Sequence, residues 1–255
     1  MPAGGWGQGT RASSMKILSS IAIGALLSLA CEAEAKTKPP PYAYATLGNG
    51  DFGVVNLSNG AFVLCGNSGF ALVGMAVAPN GTLIGQSPST DEIYSVNPGN
   101  GALTAIGPSG VSGAIGLGSS LSTIFNILSN GSVYTIDPTT GAGTKIGEAG
   151  VPIINAGQFG VSNGKATFYA SNDLTLNSVK ATTGKFKVIG NSSVSFGALL
   201  YTNKMLYGGT DDAAPFAIYT VNPKTGASTF VANLQSDSTN PIYGLVATSS
   251  SGCAQ

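Results

Sequence analysis

Five segments of this 255-residue chain, 52–66, 93–107, 133–147, 176–190 and 218–232, follow one pattern, clearest in V-Y-T-I-D-P-T-T-G-A-G-T-K-I-G at 133–147. The internal glycine of each segment (Gly60, Gly101, Gly141, Gly184, Gly226) recurs every 40 to 43 residues. A period of that length is one supersecondary unit repeated, and it constrains the fold more than any single residue can. It says nothing about a ligand.

Within the pattern, runs such as Ile93-Tyr94-Ser95-Val96 are β-branched and aromatic. The residues that follow, Asn-Pro-Gly-Asn-Gly or Asp-Pro-Thr-Thr-Gly, are turn chemistry, with Pro presetting φ and Gly supplying φ > 0. Each segment therefore reads as a β-hairpin. Upstream of four of them lies a second strand pair, as in Gly74-Met75-Ala76-Val77-Ala78, the turn Pro79-Asn80-Gly81, then Thr82-Leu83-Ile84-Gly85. Asn-Gly pairs at 49, 59, 80, 100, 130 and 163 support tight turns throughout. The unit is a four-stranded antiparallel sheet, strands a to d, and radial repetition of such a sheet makes a propeller.

One unit is split. The segment at 52–66 is preceded only by a strand b, Tyr42-Ala43-Tyr44-Ala45-Thr46, and the C-terminal region offers a strand a with no b, Gly244-Leu245-Val246-Ala247. The expected fold is all-β: a five-bladed β-propeller over 42–252, closed by pairing of its first and last strands, which removes exposed sheet edges. A solenoid would not need complementary half-units. Glycine at the head of strand a (74, 116, 157, 197, 244) suits a crowded axis. The chain resembles secreted bacterial β-propellers whose blades read L-Y-x-V-N-P-x-T-G-x-x-T-x-I-G. That resemblance covers 42–252 and implies the architecture, with no catalytic motif. Departures at Gly53, Asn177 and Lys180-Ala181 predict two less regular blades.

Met15 and Lys16, the small and apolar stretch 17–30, and Ala33-Glu34-Ala35 have the zones of a secretory signal peptide, so export with cleavage after Ala35 is expected. Residues 1–14 fit no leader zone, which places the expected start at Met15. Cys31 as a lipid-attachment site is the rival reading. No segment approaches the roughly 20 apolar residues of a membrane helix. Residues 36–41, with Pro39-Pro40-Pro41, read as a stiff spacer.

Removal of 1–35 deletes the only Trp and the only Arg, leaving nine Lys against nine acids and no His. A neutral chain without Arg has no footprint for nucleic acid or anionic lipid. Without His there is no Ser-His-Asp or Cys-His site and no histidine-bound zinc. A two-carboxylate glycosidase would need acids roughly 5 to 9.5 Å apart near the axis, whereas the inner strands carry none and the acids fall on mid-blade and outer connections. Calcium is a weak option, since no D-x-[DN]-x-[DN]-G loop is present.

Antiparallel strands alternate their loops. Asp51, Asp91, Glu92, Glu148, Asp173, Asp211, Asp212 and Asp237 fall on one face, and Lys165, Lys180, Lys204 and Lys224, with Asp137, on the other. Binding is normally found on loops displayed by a rigid scaffold. The candidate ligand-binding residues are Asp173, Asp211, Asp212, Gln235, Asp237 and Asn240, the last three on the longest loop. The expected function is non-catalytic binding of a protein, glycan or small polar ligand by a monomer, with protein or small polar ligands favoured because Trp is gone. The alternative is a carboxylate-dependent carbohydrate-active enzyme. Cys65 and Cys253 are expected to stay unpaired, because Cys65 sits near the end of outer strand d and Cys253 follows inner strand a at the opposite face.

Overall fold

The computed structural model describes residues 41–120, 123–148, 156–162, 165–180, 182–235 and 238–255. They fall within one compact unit, Pro39–Gln255, and form five four-stranded antiparallel sheets. Blade I holds β1 (Tyr42–Leu47), β2 (Asp51–Asn56) and β3 (Phe62–Asn67), with β20 (Ile242–Thr248) as its inner strand. Blade II is β4 (Met75–Val77), β5 (Leu83–Gln86), β6 (Glu92–Val96) and β7 (Leu103–Pro108). Blade III is β8 (Ala114–Ser120), β9 (Thr123–Leu128), β10 (Ser132–Ile136) and β11 (Gly143–Glu148). Blade IV is β12 (Ala156–Ser162), β13 (Lys165–Asn172), β14 (Thr175–Val179) and β15 (Phe186–Asn191). Blade V is β16 (Phe196–Thr202), β17 (Met205–Thr210), β18 (Ala217–Val221) and β19 (Ser228–Asn233).

The split unit closes as the sequence predicts. β1 pairs with β20 in antiparallel register, Tyr44 opposite Val246 and Ala45 opposite Leu245, while its other edge pairs with β2. The inner strands then neighbour one another in a ring, β20 to β4, β8, β12, β16 and back to β20. Backbones crowd there. A Cβ on Gly74 would collide with the Leu117 amide, and one on Gly244 would come within 2.6 Å of Thr46 Oγ1.

Both faces of each sheet are buried because each meets a neighbouring blade. Five apolar clusters result, one per junction. At the closing junction, Ala43, Val55 and Leu245 of blade I pack with Ala198, Leu200 and Ile218 of blade V. Phe125 and Phe168 face each other between blades III and IV at 6.2 Å between ring centroids.

The c-to-d hairpins repeat one turn. In each, the glycine N–H (Gly60, Gly101, Gly141, Gly184, Gly226) donates to the carbonyl four residues back at 2.8 Å, and its φ lies between 68° and 79°, a region costly for any residue with a Cβ. Asn97, Asp137 and Asn222 also accept, through Oδ1, the N–H two residues on.

Every c–d pair then shifts register by one residue, leaving Cys65, Ile106, Ile146, Ile189 and Val231 as the extra residue of a β-bulge. A bulge re-aims its side chain, and each of these five packs into the apolar cluster of an adjacent junction. The residue after it lies against the next blade's turn. A Cβ on Gly66, Gly107, Gly147 or Gly190 would collide with the carbonyl of Asn100, Thr140, Thr183 or Thr225 respectively. The I-G that ends the repeat is therefore a bulge and a contact with the following blade, made at successive junctions around the rim.

Two expectations are corrected. Blades I and IV keep the pairing and the bulge of the others: the Phe62 ring fills the space a side chain at Gly53 would take, and Asn177 Nδ2 donates to the carbonyls of Thr175 and Ala170. At Lys180 the turn keeps its Gly184 bond, and Ala181 lies outside the described residues. Cys65 and Cys253, expected to be unpaired, form a disulfide with Cα atoms 5.4 Å apart. The opposite-face reasoning holds for inner strands and fails at the rim. There the sheet twist lays the end of one blade's strand d against the c–d turn of the next. The C-terminal tail reaches the same turn, Ala254 N–H donating to the Pro98 carbonyl at 3.4 Å, and arrives beside Cys65.

The disulfide spans 188 residues, and in the chain-entropy view a loop of that size is worth about 5 kcal/mol. Cys65→Ser or Cys253→Ser is expected to lower unfolding free energy by about 2–5 kcal/mol in urea titration. Gly147→Ala, whose methyl would meet a backbone carbonyl, is expected to cost about 1–3 kcal/mol. Gly252→Ala, which meets nothing within 4 Å, should stay within about 0.5 kcal/mol of the parent.

Candidate functional site

Three of the eight acids assigned to the acidic face have structural partners, whereas Asp91 Oδ1 is buried without one. Asp51 accepts from Asn49 and Asn67 Nδ2, both at 2.8 Å, and so holds its own turn. Glu92 accepts from the Tyr94 hydroxyl at 2.8 Å, and Glu148 pairs with Lys145. On the other face, the Thr139 hydroxyl and N–H hold the Asp137 carboxyl below its ordinary range.

Asp211, Asp212 and Asp173 are different. Asp211 and Asp212 open the β17–β18 connection of blade V, and exposed Asp173 sits in the β13–β14 turn of blade IV with φ 51°. The β17–β18 connection is tied to the 234–241 loop, where Phe216 N–H donates to the Ser238 carbonyl at 3.0 Å and Leu234 N–H to the Phe216 carbonyl at 2.9 Å. Asp211 lies on a mid-blade connection, where the sequence places the acids, and it packs beside an inner strand. On the inner strand β16, a Cβ at Gly197 would stand 2.7 Å from Asp211 Cβ and 3.1 Å from Tyr243 Cδ1. The missing side chain at Gly197 leaves room for Asp211 and the Tyr243 ring beside this inner strand.

Burial pushes the Asp211 carboxyl above its ordinary value; a hydrogen bond with the Ser195 side chain opposes the shift, and the charges of Asp212 and Asp173 reinforce it. Its Oδ1 is buried without a hydrogen-bond partner. Burial, then the Asp211 charge, raises the Tyr243 phenol in turn. An unmatched, desolvated carboxylate oxygen flanked by two further carboxylates costs stability unless a donor arrives. Hydroxyl, amide or ammonium donors would match it. Met75, Leu117, Ala198 and Leu245 supply the apolar floor of the axial opening beside Tyr243.

Of the six residues proposed from sequence, Asp173 and Asp212 act on Asp211 through their charge. Gln235 closes the ring: its Nε2 donates to the Asn59 carbonyl at 2.9 Å and its N–H to the Gly60 carbonyl at 2.8 Å, fastening blade V to blade I. Asn240 bonds the Thr239 hydroxyl at 3.5 Å, and Asp237 lies outside the described residues. Ser195 and Tyr243 were missed, because neither belongs to a motif; only Gly197, two positions beyond Ser195, hints at close packing there. Among the described residues, no three of His, Cys, Asp and Glu gather closely enough to hold a metal ion, and no helix is long and apolar enough to cross a membrane.

No protein family and no curated protein matches the sequence. Solved structures do match in shape. A structure of the nidogen/laminin complex is similar at 12% identity and a TM-score of 0.54, over 76% of this chain and 79% of the other. Kuenenia stuttgartiensis hydrazine synthase shares 12% identity at a TM-score of 0.45, over 67% of this chain and 49% of that one, too low for any inference. What the nidogen/laminin likeness shows is the fold: this chain is a five-bladed β-propeller.

Proposed function

We propose that this chain is an exported, non-catalytic β-propeller that binds a protein, glycan or small polar ligand at the end of the disc where Asp173, Asp211, Asp212 and Tyr243 meet. The observation that carries the reading is Asp211: a carboxylate held in a destabilising environment, with one buried oxygen unmatched and the charges of two further carboxylates acting on it. Sites kept at a cost to stability are characteristic of binding and catalysis. The signal-like leader at 15–35 supports a secreted or periplasmic location. The similar solved structure is a complex of two proteins, so a propeller of this shape is compatible with a protein partner.

One observation favours a second reading. A carboxyl pushed up by burial, with further carboxylates acting on it, resembles the acid a glycosidase sets beside its nucleophile or base. Glycan arrays and glycosidase substrates, applied to residues 36–255 with and without calcium, separate the two. Saturable binding without turnover supports a binding protein, and turnover lost in Asp211→Asn or Asp173→Asn supports an enzyme.

The pKa shift sets the sign of a stability test. A carboxyl raised in the folded state binds more protons there than in the unfolded chain, so its unfavourable contribution grows as pH rises from the ordinary aspartate value to the raised one. Asp211→Asn is therefore expected to raise the melting temperature by roughly 1–4 °C at pH 7 and by less at pH 4, while ligand binding falls at least tenfold. A lower melting temperature at pH 7 would show that the carboxylate serves the fold instead.

A further inference from the structure

A second site lies at the opposite end of the strands. The c–d turns repeat one backbone geometry, so a segment seated on one of them indicates what its sisters can hold. At the junction of blades I and II the chain's own C-terminus is seated. From the end of β20 at Thr248 the tail runs outward to Cys253, bonded to Cys65, and on to Ala254, whose N–H meets the Pro98 carbonyl. A Cβ on Gly99 would stand 2.6 Å from the Ala254 carbonyl oxygen, so the tail backbone lies flat on this turn.

The turn of blade V is nearly identical. It reads Val221-Asn222-Pro223-Lys224 where blade II reads Val96-Asn97-Pro98-Gly99, with the same bond from Asn222 N–H to Ala227 O as from Asn97 N–H to Ala102 O. Beside it is an open cavity of about 350 Å³, a size ordinary for a ligand site, whose lining includes Met205, Leu206, Val221, Pro223, Lys224 and Thr229. Of the two changes in the turn, Asn100 to Thr225 and Gly99 to Lys224, the second is informative. A side chain at Lys224 starts where the tail backbone lies on blade II, so a strand cannot cross this turn and has to stop at it. At that stopping point the protein offers an ammonium. Among the described residues, no Asp or Glu lines the cavity and the one ion pair joins Lys145 and Glu148.

We propose that this groove captures the C-terminal end of an extended peptide of small residues, with its terminal carboxylate on Lys224 Nζ and its side chains over Met205, Leu206, Val221 and Pro223. Capture of a chain terminus by a charge that matches it is an established mode of peptide recognition. The site is independent of the carboxylate cluster.

Fluorescence polarisation with a labelled peptide, V-A-T-S-S-S-G (residues 246–252 of this chain), tests the proposal on the disulfide-bonded protein. With a free carboxylate the peptide should bind saturably. Its C-terminal amide should bind at least tenfold more weakly, and Lys224→Ala should lose at least tenfold in affinity at unchanged melting temperature. Lys204→Ala, on the neighbouring a–b turn, should match the parent. Equal binding of acid and amide, indifference to Lys224→Ala, or no binding at all overturns it. So does Lys224-dependent binding of octanoate or benzoate without binding of the free-carboxylate peptide, which would make the groove a small-molecule pocket.

Discussion

The structure depends on closure. A propeller blade buries both faces only if it has a neighbour on each side, so an open row of five would leave two sheets half exposed. The β1–β20 pairing removes that defect by giving blade I strands from both ends of the chain. The apolar cluster of Ala43, Val55, Leu245, Ala198 and Ile218 joins it to blade V. Closure costs the entropy of bringing distant residues together. The β1–β20 ladder, the Gln235 bonds to the blade I turn, and the Cys65–Cys253 bond all act where that cost falls.

Closure also accounts for the rigidity of the repeat. Four blades place a glycine from strand d against a carbonyl of the next blade's turn. Such a contact admits no side chain, so it fixes the rotation of one blade on the next by backbone shape. The apolar clusters supply most of the stabilisation, and these contacts set the geometry in which they form.

The architecture was legible because its information is periodic. Turn glycines, the split blade and the buried faces of strand c all follow from spacing and alternation. The bulge was visible only as the conserved-looking order of I-G within the repeat, and its meaning depends on a neighbour that spacing does not reveal. Sheet twist was the missing quantity for Cys253: residues on opposite faces by topology meet at the rim once each blade turns. The same limit applied to the site. Asp173, Asp211 and Asp212 could be placed on one face from loop order, but not the desolvation of Asp211, which depends on the space left at Gly197. The structural bonds of Gln235 were hidden for a related reason, since a polar residue on a long loop looks free until the facing turn of blade I is in place.

The link between Cys65 and Cys253 has a topological effect apart from its strength. It makes one covalent circle of everything from strand β3 through β20, which takes in blades II to V complete. A single cut in any loop of that circle opens the circle but releases no fragment, and both severed ends remain held in the ring. A molecule nicked in this way keeps all of its residues in one piece, so a broken loop alone does not take the ring apart.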